Sequence, residues 1–281
     1  MAVSPPGALG DSSSVDPART RPPWQRVRIG KIWIDALTFA QAIDEIDRLV
    51  TTGEGGTVFT PNVDHVVQVE HNPVFHAAYE KVSLSVVDGQ LLLWASHLLG
   101  APFPEKISGS DLMVPLAQRA AERKWRVFLL GGGPGVADLA ASELKKQFDI
   151  DIVGTDAPFV TPDGRPAEGP GVIERIAKTR PHLLFAAFGA PKQELFLHRA
   201  AAAIRPAVGI GVGAGFDFVA GRIKRAPRWV SQGGLEWLYR LLQEPRRLAK
   251  RYLVDDPEFL FVLARTLGEP RSARVTVRDE T

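Results

Sequence analysis

The sequence contains no cysteine and only two methionines. Disulfides, thiolate nucleophiles and cysteine-based metal sites are therefore excluded, and the composition fits a reducing compartment. No run approaches the ~18 apolar residues that a membrane-spanning helix needs. The N-terminus also lacks a signal peptide's apolar core, so a cytoplasmic location is expected. No Gly-Lys-Ser/Thr follows a glycine run, which excludes a Walker-type phosphate loop. His65, His71, His76, His97, His182 and His198 have neither HExxH spacing nor acidic companions, and no metal site is predicted. Ser108-Gly109-Ser110 is not a nucleophile elbow, so serine-based acyl chemistry has no support.

What is present is a strand-then-helix rhythm across 281 residues, 45% hydrophobic and 23% charged, enough for one large or two small domains. Residues 1–25 are rich in Ser, Pro, Gly, Ala and Arg and read as a disordered tail. From Arg26, the alternation of Val27, Ile29, Ile32 and Ile34 predicts an opening strand. Thr38 and Gln41 have capping-box spacing before a helix that runs to about Thr51. Asn72-Pro73 marks another helix start. The second half alternates strands with helices over 126–212, which implies a parallel sheet covered on both faces. After about Gly221 the pattern becomes helical, aromatic and basic.

In a parallel sheet five strand ends share one edge, the edge where ligands bind. They carry Thr60 and Asn62; Asp88; Gly131, Gly132 and Gly133; Gly189, Lys192 and Gln193; and Gly213 with Asp217. Glycines let backbone N–H groups approach a phosphate, so this edge suggests a nucleotide or sugar-nucleotide site. Val87-Asp88-Gly89 reads first as a helix cap and second as a carboxylate delivered to that edge. Gly131 and Gly133 match two glycines of the dinucleotide fingerprint, with Val136 in place of the third and Asp156 where a ribose-binding acid falls. An NAD-dependent oxidoreductase is the alternative on these residues. Asp149-Ile150-Asp151 has a metal-binding pattern but precedes a strand, at the wrong edge of the sheet.

Net charge is only +2, yet Arg222 to Arg251 holds nine Lys/Arg against Glu236 and Glu244, leaving −5 for the remainder. Tryptophan and tyrosine beside these basic residues is the composition of an interfacial helix, although a charged helical hairpin packed on the sheet would look similar. Nucleic acid fits poorly, since the charge sits on an aromatic helical segment. The expected organisation is a tail (1–25), a core (26–221), a helical membrane-associating appendage (222–268) and a C-terminal tail (269–281).

A set of ordered motifs carries a resemblance. Thr60-Pro61-Asn62, Val87-Asp88-Gly89, Ser108-Gly109-Ser110-Asp111-Leu112 and Gly189-Ala190-Pro191-Lys192-Gln193-Glu194 occur in that order. They are followed by Gly213-Ala214-Gly215-Phe216-Asp217, Arg225-Ala226-Pro227, Leu235-Glu236-Trp237-Leu238-Tyr239-Arg240 and Glu244-Pro245-Arg246. Over about residues 27–265 the chain resembles the WecG/TagA/CpsF glycosyltransferases. The resemblance implies a Rossmann-like α/β core with a helical basic C-terminal appendage, and metal-independent, inverting sugar transfer without a cofactor. The implied donor is a UDP-sugar and the acceptor a lipid-pyrophosphate-linked saccharide, at the inner face of the membrane; self-association stays open. It implies Asp88 as base, with Thr60, Asn62 and Gln193 supporting sugar and acceptor, and Asp217 near the ribose. Arg240, Arg247 and Lys250 are the implied basic positions of the appendage. Two departures stand out: Lys106 where relatives carry arginine, which keeps the charge without the planar fork, and Lys250 with Arg251 beside it.

Overall fold

Alternation over 26–34 resolves into a hairpin instead of one strand. The computed structural model of the protein describes residues 23–223 and 258–278, so the tail over 1–22 and Arg240, Arg247 and Lys250 lie outside the described residues. Strand β1 (Trp24–Ile29) begins inside the expected tail and pairs antiparallel with β2 (Ile32–Asp35). Gly30 makes the turn with φ +59°, a conformation that costs glycine little. Alternation continues through the turn, which is why the two strands read as one.

Helix α1 (Phe39–Thr51) has the expected reciprocal capping box between Thr38 and Gln41. Strand β3 (Gly56–Phe59) leads into α2 (Val63–His71), then α3 (Pro73–Glu80), whose first turn is capped by Asn72. Strand β4 (Leu84–Ser85) is only two residues long, and α4 (Gln90–Leu98) and α5 (Gly109–Arg123) follow. The second half runs β5 (Arg126–Gly131), α6 (Val136–Gln147), β6 (Asp151–Asp156), α7 (Gly171–Thr179), β7 (Leu183–Ala187), α8 (Lys192–Ile204), β8 (Val208–Gly211) and α9 (Gly215–Val219).

The main sheet has the order β4-β3-β8-β7-β5-β6 and every pairing in it is parallel. Side chains alternate across it as the strand period requires. Val127 and Leu129 with Leu183 and Phe185 pack under α1, α5 and α6, while Phe128, Leu130, Leu184 and Ala186 pack under α2, α3, α7 and α8. From β5 the chain steps outward to β6 and then back past it to β7. The crevice between the ends of β5 and β7 is thus a topological switch point, where open α/β sheets bind ligands.

The C-terminal segment departs from the expected tail. Helix α10 (Glu258–Gly268) buries Phe259, Val262 and Leu263 in the same core as the hairpin and α2. Thr266 accepts a hydrogen bond from the Gly30 N–H, and Arg265 pairs with Glu70. After a short α11 (Arg271–Arg274), β9 (Val275–Arg278) pairs antiparallel with β1 and completes a three-stranded sheet. Residues 269–278 therefore belong to the folded body, and Arg28–Glu269 ties them to it. Among the described residues no helix is long and apolar enough to cross a membrane.

Candidate active site

Asp88 reaches the ligand edge through a chain of main-chain bonds rather than a long strand. Asp35, 1% exposed, accepts the Ser85 N–H at 2.8 Å and the Trp24 indole N–H at 2.8 Å, with Arg26 paired to it at 3.0 Å. The Val86 N–H then donates to Phe59 O and the Asp88 N–H to Pro61 O, at 3.0 and 2.8 Å. On the other side Ile107 N–H donates to Val87 O at 2.7 Å. The helix-cap expectation for Asp88 is not realised. The cap position of α4 falls on Gly89, φ +112°, and carries no side-chain bond.

Thr60 and Asn62 follow β3 at the same edge. Asn62 caps α2 by accepting the His65 N–H, and its Cβ lies 3.8 Å from where a side chain on Gly89 would begin. Gly131 has φ +101°, and a Cβ there would sit 2.8 Å from Ala187 O. Its role is to let β5 and β7 close up. Gln193 bridges two further ends: its Oε1 accepts from Gly189 N–H and Gly213 N–H, both at 3.1 Å, and its Nε2 donates to Glu194 at 2.8 Å. Gly132 N–H donates to Ala187 O at 2.7 Å. Three N–H groups expected to face phosphate are thus used within the protein.

These ends enclose a cleft of about 430 Å³. Thr60, Asn62, Asp88, Gly132, Gly133, Gly189, Lys192, Gln193, Gly213 and Asp217 all line it. Gly109 and Ser110 bring the N-terminus of α5 to the cleft, and Lys192 brings that of α8, so two partial positive charges converge with a lysine. Gly109 is required there, since a Cβ would meet Gly211 O at 2.1 Å. Lys106 does not line the cleft but stands one residue before Ile107, which is bonded beside Asp88.

A sequence profile of the glycosyl transferase WecG/TagA/CpsF family matches residues 27–273. The chain is also 32% identical over 208 residues to the N-acetylglucosaminyldiphosphoundecaprenol N-acetyl-beta-D-mannosaminyltransferase of Bacillus spizizenii, covering 74% of this chain and 78% of that protein. The chain belongs to the WecG/TagA/CpsF family. It is accordingly a glycosyltransferase.

Within this WecG/TagA/CpsF member the dinucleotide alternative loses its acid. Asp156 is gripped by Arg175, at 2.7 and 3.1 Å, and does not line the cleft. Asp149 and Asp151 lie at the opposite edge, where Asp149 pairs with Lys124 at 2.7 Å. Among the described residues no group of three or more His, Asp or Glu side chains is placed to hold a metal ion. Sequence reasoning missed His65 and Phe159 of the lining, and the buried Glu194 behind it. Desolvation pushes the Glu194 carboxyl up to about 7, against its hydrogen bond from Gln193. No periodicity or spacing marks these three. The places of His65 and Glu194 depend on how α2, α3 and α8 stack, and that of Phe159 on the connection from β6 to α7.

Proposed function

We propose that this protein is an inverting, metal-independent glycosyltransferase. It moves a hexose-type sugar (N-acetylmannosamine, its uronic acid or glucose) from a UDP-sugar to a lipid-pyrophosphate-linked saccharide, for a cell-surface polysaccharide or teichoic acid. The convergence of Asp88, Thr60, Asn62 and Gln193 on one cleft beside Lys192 and two helix N-termini carries this reading. The acceptor in the Bacillus relative's name, a diphosphoundecaprenol-linked sugar, supports the acceptor class.

An acceptor hydroxyl is a weak nucleophile until a base takes its proton. In the proposed step Asp88 removes that proton as the oxygen attacks the anomeric carbon. The bond from that carbon to the UDP oxygen breaks on the opposite face, and UDP leaves with the electron pair. One carboxylate suffices for inversion, without a covalent sugar intermediate. Lys192 and the N-termini of α5 and α8 would meet the charge growing on UDP, with Asp217 toward the ribose. Arg240, Arg247 and Lys250 would add positive charge from the basic segment.

Work at the inner membrane surface is part of the proposal. Helix α4 starts two residues after Asp88, holds no Asp, Glu, Lys or Arg, and exposes Leu91, Trp94 and Leu98 at 45, 53 and 67%. A surface helix ordinarily turns charge toward water, so this face suits the region beside a lipid-borne acceptor. The test is a panel of UDP-sugars against a lipid-diphosphate-linked N-acetylglucosamine acceptor. Transfer from one donor, with anomeric inversion and an unchanged rate in EDTA, is expected. A rate lost to EDTA and restored by Mg²⁺ or Mn²⁺ overturns metal independence. No transfer from any donor overturns the function.

A further inference from the structure

We infer that Glu194 is a positioning residue for sugar transfer, one that holds the Gln193 amide in the orientation that ties the ends of β7 and β8 together at the cleft. The transfer itself rests on the function proposed above, but the positioning does not.

A side-chain amide has two chemically opposite ends, and only one arrangement works here. Oε1 of Gln193 faces two donors, the N–H groups of Gly189 and Gly213. A flipped amide would set its NH₂ against both. Glu194 holds the amide in that orientation from its other end, its Oε1 accepting from Gln193 Nε2 at 2.8 Å.

Packing alone does not account for a carboxyl at this position. Glu194 is 0% exposed, on a helix whose next three residues, Leu195, Phe196 and Leu197, are buried apolar groups. Its Oε2 has no hydrogen-bond partner among the described residues. Burying a carboxyl with one oxygen unmatched is costly, and an apolar side chain would avoid that cost if filling space were the only requirement. Room to rotate is also scarce. A Cβ on Gly211 would stand 2.6 Å from Gln193 Nε2 and 3.2 Å from Glu194 Oε1, so both polar groups press on the β8 backbone. Asp64 of α2 raises the Glu194 carboxyl further, while burial first and then Glu194 raise the Tyr79 hydroxyl of α3. The Tyr79 hydroxyl bonds His65 Nδ1 at 2.6 Å, and His65, like Gln193, lines the cleft.

The loops that Gln193 joins carry Lys192 on one side and lead to Asp217 on the other. Their separation sets the width of the crevice between those two residues. Without Glu194 the amide is released and the crevice loses its setting, which acts on donor binding more than on turnover.

The experiment compares Glu194→Met, Glu194→Gln and Glu194→Asp, alone and with Gln193→Ala, by donor kinetics and by amide hydrogen exchange at Gly189 and Gly213. Glu194→Met should raise the donor KM about tenfold with kcat changed less, the size expected for one lost hydrogen bond to a carboxyl. It should speed exchange at both glycines by about as much. Glu194→Gln keeps an acceptor for Gln193 and should stay within about twofold of wild type, whereas Glu194→Asp is too short and should behave like Glu194→Met. In the Gln193→Ala background Glu194→Met should add less than about twofold, because the residue acts through Gln193. Wild-type exchange at Gly189 and Gly213 in Glu194→Met overturns the inference, as does a full tenfold loss on top of Gln193→Ala. If Glu194→Met does not fold, Glu194→Asp decides by the same two readouts. A wild-type enzyme that transfers no sugar defeats the proposed function alone, and exchange still decides the role of Glu194.

Discussion

Replacing Glu194 by glutamine removes a pH dependence of stability whose size follows from its burial. In the folded chain desolvation pushes this carboxyl from 4.5 up to about 7. Below 4.5 both folded and unfolded chains hold the proton, and the group contributes no pH dependence. Between 4.5 and about 7 the folded chain keeps a proton that the unfolded chain has lost, so rising pH favours unfolding. Above about 7 the folded chain holds a buried charge and the full penalty applies. At about 1.36 kcal/mol per pH unit, that interval corresponds to about 3 kcal/mol, a large share of a typical domain's ~5–15 kcal/mol. The assay is urea unfolding of wild type and Glu194→Gln at several pH values from 4.5 to 8. Every other ionisable group is common to the two proteins and cancels in the difference. Wild type should lose about 3 kcal/mol relative to the variant across the range. A difference that stays flat with pH refutes the placement of Glu194 in a desolvated site.

Three further expectations concern the cleft and its supports. Asp88→Asn should lower kcat by about a hundredfold or more while UDP still protects the variant against thermal unfolding; an active Asn variant removes Asp88 from the base role. Asp35→Ala removes the buried carboxylate that Arg26, Arg278, the Trp24 indole and the Ser85 N–H share, and should cost about 3–5 kcal/mol in urea unfolding. A cost below 1 kcal/mol would mean that Asp35 does not hold β4 in place. Trp94→Ser with Leu98→Ser should weaken binding to anionic vesicles while leaving stability within ~0.5 kcal/mol, since both side chains are exposed. Unchanged vesicle binding would separate α4 from the membrane.

Much of the architecture is local and was legible. The Thr38 and Gln41 capping box and Asn72-Pro73 announce helix starts within four residues of sequence, and both are realised. Apolar strand runs ending in glycine foretold a parallel sheet with five ends on one edge, and those ends do form one cleft. The family motifs lie on the same ends, so Asp88, Thr60, Asn62 and Gln193 could be picked before any coordinates.

Other features are set by partners far apart in the chain, and no window of sequence contains both halves. Gly30 splits one alternating run into a hairpin, and β9 returns over 240 residues later to pair with β1. Asp35 holds Ser85, fifty positions on, and so places a two-residue strand that periodicity alone overextends. Glu194 closes the Gly189–Glu194 motif in sequence, where nothing marks it as buried. Its burial against β8, α2 and α3 turns it into a carboxyl near pH 7 that orients Gln193. Sequence by itself determined which residues arrive at the ligand edge, because caps and periodicity act within a few residues. Tertiary structure alone decided what each finds there, because desolvation and hydrogen-bond pairing depend on groups that only the fold brings into contact.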